Sequence, residues 1–203
     1  MTLITFDRSM LTSTPWKNGG GRTQEIARLP IGSAIDDFIW RASIAEVSSS
    51  GPFSRFPEID RILVLLNGDG VGLSSHDGRT DHRLTTPLVP FAFSGDDQID
   101  ASLLGGVSTD FNVMTRRGAV RAEVQILRNR AELAECAAGV LFVVGGTWTC
   151  DARLSRNSEA TTSLPNTITQ ASGIWWNEQP IAWHLVPDRD SAALTAVRIW
   201  EDV

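Results

Sequence analysis

The segment PWKNGGGRTQE combines the chain's single lysine, Lys17, with the amide of Asn18 and three consecutive glycines. A phosphate-binding loop sets its glycines between a strand and a helix and ends in Lys-Ser or Lys-Thr. Here the lysine precedes the glycines, so the order of residues disfavours a nucleotide site. A flexible turn and a tight path that brings backbone N–H groups near a ligand both stay open. Trp16 favours the second, because a large aromatic side chain is costly in a mobile tip.

Lys17 is unusual in a chain that otherwise uses arginine, seventeen times. An ammonium group is a compact, flexible point charge, whereas a guanidinium group is a planar fork. A lysine retained against this bias suggests a chemical reason for the point charge.

Two strand-like runs carry a second set of polar side chains. In FIWRASIAE, Arg41 and Ser43 point to the same side of the strand, and in DFNVMTRR, Asp110 and Asn112 share one face. Burying an arginine or an aspartate is costly without a partner. The runs therefore predict a polar patch inside a β-barrel, which is either a ligand site or a structural Arg–Asp pair that closes the barrel.

Metal and nucleophile chemistry are disfavoured. His76, His82 and His184 show no ligand spacing, and neither Cys136 nor Cys150 lies near a histidine in sequence. No serine stands in a Gly-x-Ser-x-Gly motif. We therefore expect no metal and no other cofactor, and we interpret both cysteines as free thiols in a reducing cytoplasm.

Charge and hydropathy limit the partners. The net charge is −6 without a basic run, which disfavours nucleic acid and anionic membrane surfaces. No apolar run approaches the roughly 20 residues that span a bilayer, and MTLITFDRS lacks the features of a signal peptide. We expect a cytoplasmic protein.

Short runs rich in β-branched and aromatic residues position these side chains and predict an all-β barrel or sandwich. The predicted strands are Phe38–Glu46, Arg61–Leu66, Asp110–Thr115, Val120–Leu127, Val140–Val144, Ile181–Val186 and Leu194–Trp200. One helix is predicted at Arg130–Ala138, and an exposed loop at Ser155–Thr169. A weak echo between ILVLLNGDGVGL and VLFVVGGTWTC suggests two halves that divide near Gly118.

The chain also resembles the HutD/Ves family, metal-poor double-cupin proteins often encoded with bacterial histidine-degradation enzymes. The matching segments are PWKNGGGRTQEI, DDFIWRASIAEVSSSGPFSRFPEIDRILVLLNGDG, PFAFSGDD and GGVSTDFNVMTRRG. The resemblance implies a cupin-like double barrel (bicupin) of antiparallel strands with few short helices. It places one barrel in residues 1–118 and a second, tightly packed on the first, in residues 119–203.

The resemblance further implies a role in regulating histidine utilisation, with small pathway acids such as N-formylglutamate or urocanate as ligands. One position departs from the family pattern. Glu58 stands where a glycine is expected in the turn FPEIDR, so we expect the turn before Arg61 to differ in shape.

These observations favour a module that binds a small carboxylate. The candidate ligand-binding residues are Lys17, Asn18, Arg41, Arg61, Asp110 and Asn112. The arginines would form carboxylate forks, Lys17 would supply a point charge, and the two asparagines would contact a formyl or amide group. Asp110 would orient an arginine or accept an N–H from the ligand.

Two alternatives stay open. The first is a metal-free cupin enzyme, such as an isomerase or hydrolase, with Lys17 or Asp110 as general acid or base and Glu25 as a weaker candidate. The second is a structural or interaction protein whose polar patch only stabilises the fold. We favour binding over catalysis, and a homodimer stays open as a further partner.

Overall fold

The computed structural model describes residues 2–154 and 166–202, and in these residues the chain is built almost entirely from β-strands. That part of the chain contains nineteen strands and one three-residue 3-10 turn, Arg8–Met10. The strands are β1 (Thr2–Asp7), β2 (Ser13–Pro15), β3 (Gly21–Leu29), β4 (Trp40–Val47), β5 (Gly51–Pro52), β6 (Ile59–Asn67), β7 (Val71–Ser75), β8 (Asp81–Leu84), β9 (Pro90–Ser94), β10 (Ile99–Leu103), β11 (Ser108–Arg116), β12 (Val120–Leu127), β13 (Ala131–Cys136), β14 (Ala138–Gly145), β15 (Thr147–Leu154), β16 (Thr167–Thr169), β17 (Ser172–Asn177), β18 (Ile181–Pro187) and β19 (Ala193–Glu201).

The prediction of an all-β protein is confirmed, and each predicted strand corresponds to an observed one. The predicted helix at Arg130–Ala138 is wrong, because this segment forms β13 and the start of β14. An isolated helix of this length is marginal in water. Pairing β13 with β18 buries Leu133 and Cys136 in a core, and this tertiary gain outweighs the local helix preference.

The predicted loop at 155–169 falls partly outside the described residues. Residues 155–165 are among those not described, and Thr167–Thr169 form β16, which pairs with β15.

Two compact units make up the chain. One, the 11–121 unit, contains Leu11–Arg121 with Glu201–Val203; the other, the 122–200 unit, contains Ala122–Trp200 with Met1–Met10. The units are not separated by a single boundary at residue 118, because β1 pairs along its whole length with β17. Strand β1 thereby attaches the first residues of the chain to the 122–200 unit.

Each unit contains two sheets. In the 11–121 unit a six-stranded sheet has the order β2-β3-β4-β11-β6-β9, and a four-stranded sheet has the order β5-β10-β7-β8. The 122–200 unit holds a five-stranded sheet, β1-β17-β14-β19-β12, and a four-stranded sheet, β13-β18-β15-β16. Among the described strands no sheet closes on itself, so the predicted double barrel is not confirmed.

The core of the 11–121 unit lies between its two sheets. Leu63 and Leu65 from the six-stranded sheet pack with Val71 and Leu73 from the four-stranded sheet. We call the side of the six-stranded sheet that carries Leu63 and Leu65 its inner face. Four of the six residues predicted to form a site lie on this face: Arg41, Arg61, Asp110 and Asn112.

Candidate functional site

Strand register brings four of the predicted residues onto the inner face. Met114 on β11 pairs with Arg41 on β4 and with Arg61 on β6. Asn112 and Asp110 follow along β11 at two-residue steps, so their side chains point to the same side as Met114. The alternation predicted for β4 and β11 therefore matches the observed faces.

These side chains are buried together with a hydroxyl group. Arg61 is 6% exposed, Asp110 3% and Asn112 6%, while Ser43, which pairs with Asn112, is fully buried. We call Arg41, Ser43, Arg61, Asp110 and Asn112 the inner polar cluster. Burial of polar groups is costly unless they are hydrogen-bonded, so the partner of each group matters.

Arg41 has its partner within the protein. Its Nε donates to Glu25 Oε2 at 2.8 Å, and its Nη1 lies 3.7 Å from Met114 Sδ. The same carboxylate lies 3.3 Å from Arg28 Nε. Because the Glu25 side chain is 34% exposed, the cluster meets solvent on this side.

Arg61 has no such partner. Its Nε is buried without a hydrogen bond in the described residues. Instead its guanidinium carbon lies over three rings, at 5.5 Å from the centroid of Phe53, 5.7 Å from Phe56 and 4.9 Å from Phe93. Cation–π contacts of this kind hold a guanidinium group in place without using its N–H donors.

Burial lowers the pKa of Arg61 to about 10, and Asp110 opposes that effect. The side chain therefore keeps its positive charge at neutral pH. A buried guanidinium group with an unpaired Nε has the charge and the donor that an anion requires.

Asp110 and its neighbours supply hydrogen-bond acceptors beside the cationic donor Arg61. Burial raises the pKa of Asp110 to about 7, against the influence of Arg61. Asp110 Oδ1, Asn112 Oδ1 and Ser43 Oγ are all buried without a hydrogen-bond partner in the described residues. The cluster thus offers a cationic donor, two acceptor oxygens and a hydroxyl group to a ligand.

The glycine-rich segment forms the tight turn between β2 and β3. Trp16 N donates to Gly21 O, and Gly19 N to Trp16 O. Gly19 has a positive φ of 72°, and a Cβ on Gly21 would lie 2.2 Å from Glu46 O. The glycines therefore serve a close backbone approach to β4.

Lys17 and Asn18 lie on this turn and not in the inner polar cluster. The Lys17 side chain is exposed and forms no ion pair with a described residue. Asn18 Oδ1 accepts from Gly20 N at 3.0 Å, so its side chain stabilises the turn. Trp16 links the turn to the cluster, because its ring packs edge-on against Phe53 at 5.9 Å.

Glu58, the departure from the family pattern, has a backbone conformation that favours glycine. Its φ is 62°, in the left-handed region. Its N–H donates to Asp96 Oδ1 at 2.8 Å, and its carbonyl accepts from Arg117 N. These hydrogen bonds hold the turn, and Arg61 follows in β6; the expected difference in turn shape from the family stays a prediction.

Sequence reasoning missed the three phenylalanines around Arg61 and underrated Glu25. Phe93 pairs directly with Arg61 in the register of β9 and β6, and it lies in PFAFSGDD, one of the segments matched to the family. That segment was the available signal for Phe93. Phe53 and Phe56 also lie in a matched segment, but that part of it is irregular and has no periodicity from which their direction could be predicted.

The core of the 122–200 unit, unlike the inner polar cluster, is built from apolar side chains and thiols. Trp148, Trp176 and Trp183 fill it together with both cysteines. Burial raises the pKa of Cys136 to about 11 and that of Cys150 to about 12. The cysteines are free, as predicted.

All buried charged side chains of the described residues lie in the 11–121 unit. The 122–200 unit has an open cleft of about 250 Å³ beside β1 and β17. The charged side chain that lines this cleft is Asp7. Its carboxylate accepts hydrogen bonds from Ser9, and these bonds lower the pKa of Asp7. The inner polar cluster is therefore the stronger candidate site.

Two further properties concern metal binding and membrane-spanning helices. Within residues 2–154 and 166–202, no three His, Cys, Asp or Glu side chains gather in a group that could hold a metal ion. No helix in that part of the chain is long and apolar enough to cross a bilayer.

Several solved structures share this fold. The chain is 29% identical to the conserved protein of unknown function PA5104 from Pseudomonas aeruginosa PAO1, covering 98% of this chain and 99% of that one, with a TM-score of 0.81. HutD from Pseudomonas fluorescens SBW25 is 24% identical over the full length of both chains, with a TM-score of 0.81. An oxalate decarboxylase from Lactobacillus farciminis, in a formate complex, is 7% identical over 98% of this chain and 86% of that one, with a TM-score of 0.64.

These likenesses show a cupin-like β fold. The model of the HutD family matches residues 8–194, which is nearly the whole chain. The chain belongs to the HutD family.

Proposed function

We propose that this HutD-family chain binds a small carboxylate metabolite in the 11–121 unit, with Arg61 as the group that binds the carboxylate. The observation that carries the proposal is a buried, charged guanidinium group that has aromatic contacts but no hydrogen-bond acceptor in the described residues. A ligand carboxylate would supply the missing acceptors through charge-assisted hydrogen bonds.

The neighbouring groups favour a ligand that carries more than a carboxylate. Asn112 Oδ1 and Asp110 Oδ1 lack donors, and Ser43 Oγ is free to donate or accept. An amide or formamide N–H beside the carboxylate would satisfy one of these oxygens. N-formylglutamate has both groups, and urocanate joins a carboxylate to an imidazole N–H.

The structural alternative, an Arg–Asp pair that closes the barrel, has less support. The pair that bridges strands of the inner face is Arg41 with Glu25, at 2.8 Å. Arg61 and Asp110 influence each other electrostatically but form no ion pair in the described part of the chain. A structural Arg–Asp pair would share hydrogen bonds, whereas Arg61 Nε and Asp110 Oδ1 have none in the described residues.

The family name connects the chain with histidine utilisation, and we propose that ligand occupancy regulates this pathway. Lys17 and Asn18 remain predicted contributors at the β2–β3 turn. Their role would be indirect, through Trp16 and Phe53, or would need a ligand long enough to reach the turn.

Calorimetry with N-formylglutamate, urocanate and histidine tests the proposal. We expect at least one carboxylate to bind and Arg61→Met to abolish that binding. Arg83→Met is the matched control, because it removes the same charge from an exposed side chain on β8. Absence of binding by the folded protein at millimolar ligand would contradict the proposal.

A second candidate function is a metal-free enzyme with Asp110 as general acid or base. The specific observation in its favour is that Asp110 is buried and its pKa is raised to about 7, close to the working pH of such a group. Incubating the protein with the same compounds and recording NMR spectra separates the two functions. New signals would indicate turnover, and unchanged ligand at high protein concentration would indicate binding alone.

A further inference from the structure

Arg61 and Asp110 stand apart from the other buried charges of the 11–121 unit. Arg41 is paired with Glu25, and the buried Asp97 lies 3.0 Å from Arg79 Nη2. Within the described residues no ion pair or hydrogen bond satisfies Arg61 Nε or Asp110 Oδ1. The site therefore contains one uncommitted cation and one uncommitted carboxyl group, both more than nine-tenths buried.

Few other charges act on Asp110. The titratable and charged groups on the inner face and its borders are Glu25 and Arg28 on β3, Arg41 on β4, Arg61 on β6, His82 on β8 and Asp97 after β9. Glu25 forms ion pairs with both Arg28 and Arg41, and the ring of His82 stacks on Phe91 at 3.7 Å. Strands β7 and β10 contribute apolar side chains to the core, among them Leu73 and Ile99. Arg61 is thus the charge that favours ionisation of Asp110.

We propose that a carboxylate enters this site together with one proton, which Asp110 holds while Arg61 binds the anion. This inference rests on the proposed function and adds a binding mode to it. In the empty site above neutral pH, ionised Asp110 balances the charge of Arg61. A ligand carboxylate on Arg61 places a second anion beside the same guanidinium group, and two buried carboxylates do not both stay ionised around one cation.

The proton comes from solvent, and the O–H bond of protonated Asp110 is the covalent bond that forms. Protonated Asp110 becomes a donor, and two acceptors are available to it. One is the ligand carboxylate, and the other is Asn112 Oδ1, which is buried without a donor two residues along β11. Proton uptake therefore also satisfies a hydrogen-bonding deficit of the empty site.

The direction of the pH dependence follows from linkage. Burial raises the pKa of Asp110 to about 7, and Arg61 opposes this rise. A bound anion offsets the field of Arg61, so the pKa of Asp110 rises further in the complex. Below about pH 7 Asp110 is already protonated and the affinity is constant; above it, each complex takes up a proton and the affinity falls.

The test is the dissociation constant of N-formylglutamate, and of formate as a minimal carboxylate, between pH 6 and 9. Calorimetry in buffers of different ionisation enthalpy gives the number of protons exchanged. We expect a constant Kd up to about pH 7, then an increase of about tenfold per pH unit, with about one proton taken up per ligand at pH 8.

Two variants sharpen the test. Asp110→Asn places an uncharged group of the same size at the site, and we expect its Kd to be independent of pH between 6 and 9, with no proton uptake. Asp100→Asn changes the net charge equally at an exposed position on β10 and should retain the wild-type pH dependence. If Asp110→Asn does not fold, the proton count of the wild-type protein decides alone.

The outcomes separate this inference from the proposed function. A carboxylate that binds with the same Kd from pH 6 to 9 and exchanges no proton would overturn the inference and leave the proposed function standing. Absence of binding at every pH by the folded protein would overturn both.

Discussion

Arg41 and Arg61 are both buried on one face of one sheet, yet their guanidinium groups have different surroundings. Arg41 donates to a carboxylate of the protein itself, and Arg61 lies among aromatic rings with its Nε unpaired. Removing one member of a hydrogen-bonded ion pair destabilises a protein, whereas replacing an unpaired buried charge by an apolar side chain is often neutral or stabilising. The two residues should therefore respond in opposite ways to the same substitution.

We expect Arg41→Met to lower the free energy of unfolding by about 1–2 kcal/mol, since a charge-assisted bond to the half-exposed Glu25 is lost. Arg61→Met should leave the stability unchanged or raise it, because Asp110 can stay uncharged near pH 7 once the cation is gone. Thermal unfolding of both variants at pH 7 measures the difference. A large loss of stability in Arg61→Met would assign Arg61 a structural role.

Glu58 shows the cost of a departure from the family pattern. A side chain at a φ of 62° is strained by about 1–2 kcal/mol, and glycine relieves this strain at an entropic cost of about 0.4–1 kcal/mol. We expect Glu58→Gly to stabilise the protein by about 0.5–1 kcal/mol, or roughly 1–4 °C in Tm. Glu58→Ala is the control, since it removes the same exposed carboxylate but keeps the strained backbone, and it should not stabilise.

At the scale of elements, the β2–β3 turn illustrates how glycines at neighbouring positions differ. A Cβ on Gly19 would meet open space, although its φ is positive, while a Cβ on Gly21 would lie 2.2 Å from Glu46 O and 3.1 Å from the Trp16 ring. Gly21 thus allows β3 to approach β4 and Trp16 to cover the junction.

From this contrast, Gly19→Ala should cost about 1 kcal/mol and Gly21→Ala about 2–4 kcal/mol, since only the second forces backbone apart. Chemical denaturation compares the two. Ligand binding should weaken with Gly21→Ala as well, because Trp16 packs on Phe53 beside Arg61. Equal losses of stability in both variants would contradict this account of the turn.

Strand elements were largely predictable from the sequence, because alternation with a period of two assigns side chains to faces. That rule placed Arg41 with Ser43, and Asp110 with Asn112, on the correct sides. It did not assign Glu25, because no strand was predicted at Gly21–Leu29, and a β-bulge between Glu25 and Ala27 also resets the alternation of β3. The bulge places Glu25 and Arg28, three residues apart, on one face.

Other parts of the molecule depend on tertiary contacts that no local pattern encodes. The segment RAELAECAA has helix-forming residues, and only its pairing with β18 makes it a strand. Pairing of β1 with β17 joins residues from opposite ends of the chain. Likewise, the aromatic surroundings of the Arg61 guanidinium group come from β9 and from the irregular segment after β5.

For the whole molecule, the two units have different interiors. The 11–121 unit holds the buried charges, and the 122–200 unit is filled by tryptophans and thiols. We propose that the 11–121 unit binds the ligand and that the 122–200 unit contributes stability.

The thiols give a measurable consequence. Cys136 and Cys150 are buried, and their raised pKa values, about 11 and 12, keep them protonated at pH 8. We expect no reaction with a thiol-specific reagent such as Ellman's reagent in the native protein at pH 8, and reaction of both thiols after denaturation. Because these pKa values are raised on folding, their contribution to stability is complete below about pH 9 and declines as the pH rises further.

The three rings around Arg61 have a further, spectroscopic consequence. Aromatic ring currents shift the resonances of protons that lie above a ring, so the Nε–H signal of Arg61 should separate from those of the other arginines. A carboxylate that accepts this proton would move the signal in the opposite direction. A single line in a nitrogen–proton correlation spectrum could then report whether the site is occupied, without a label on the ligand or a change in the protein.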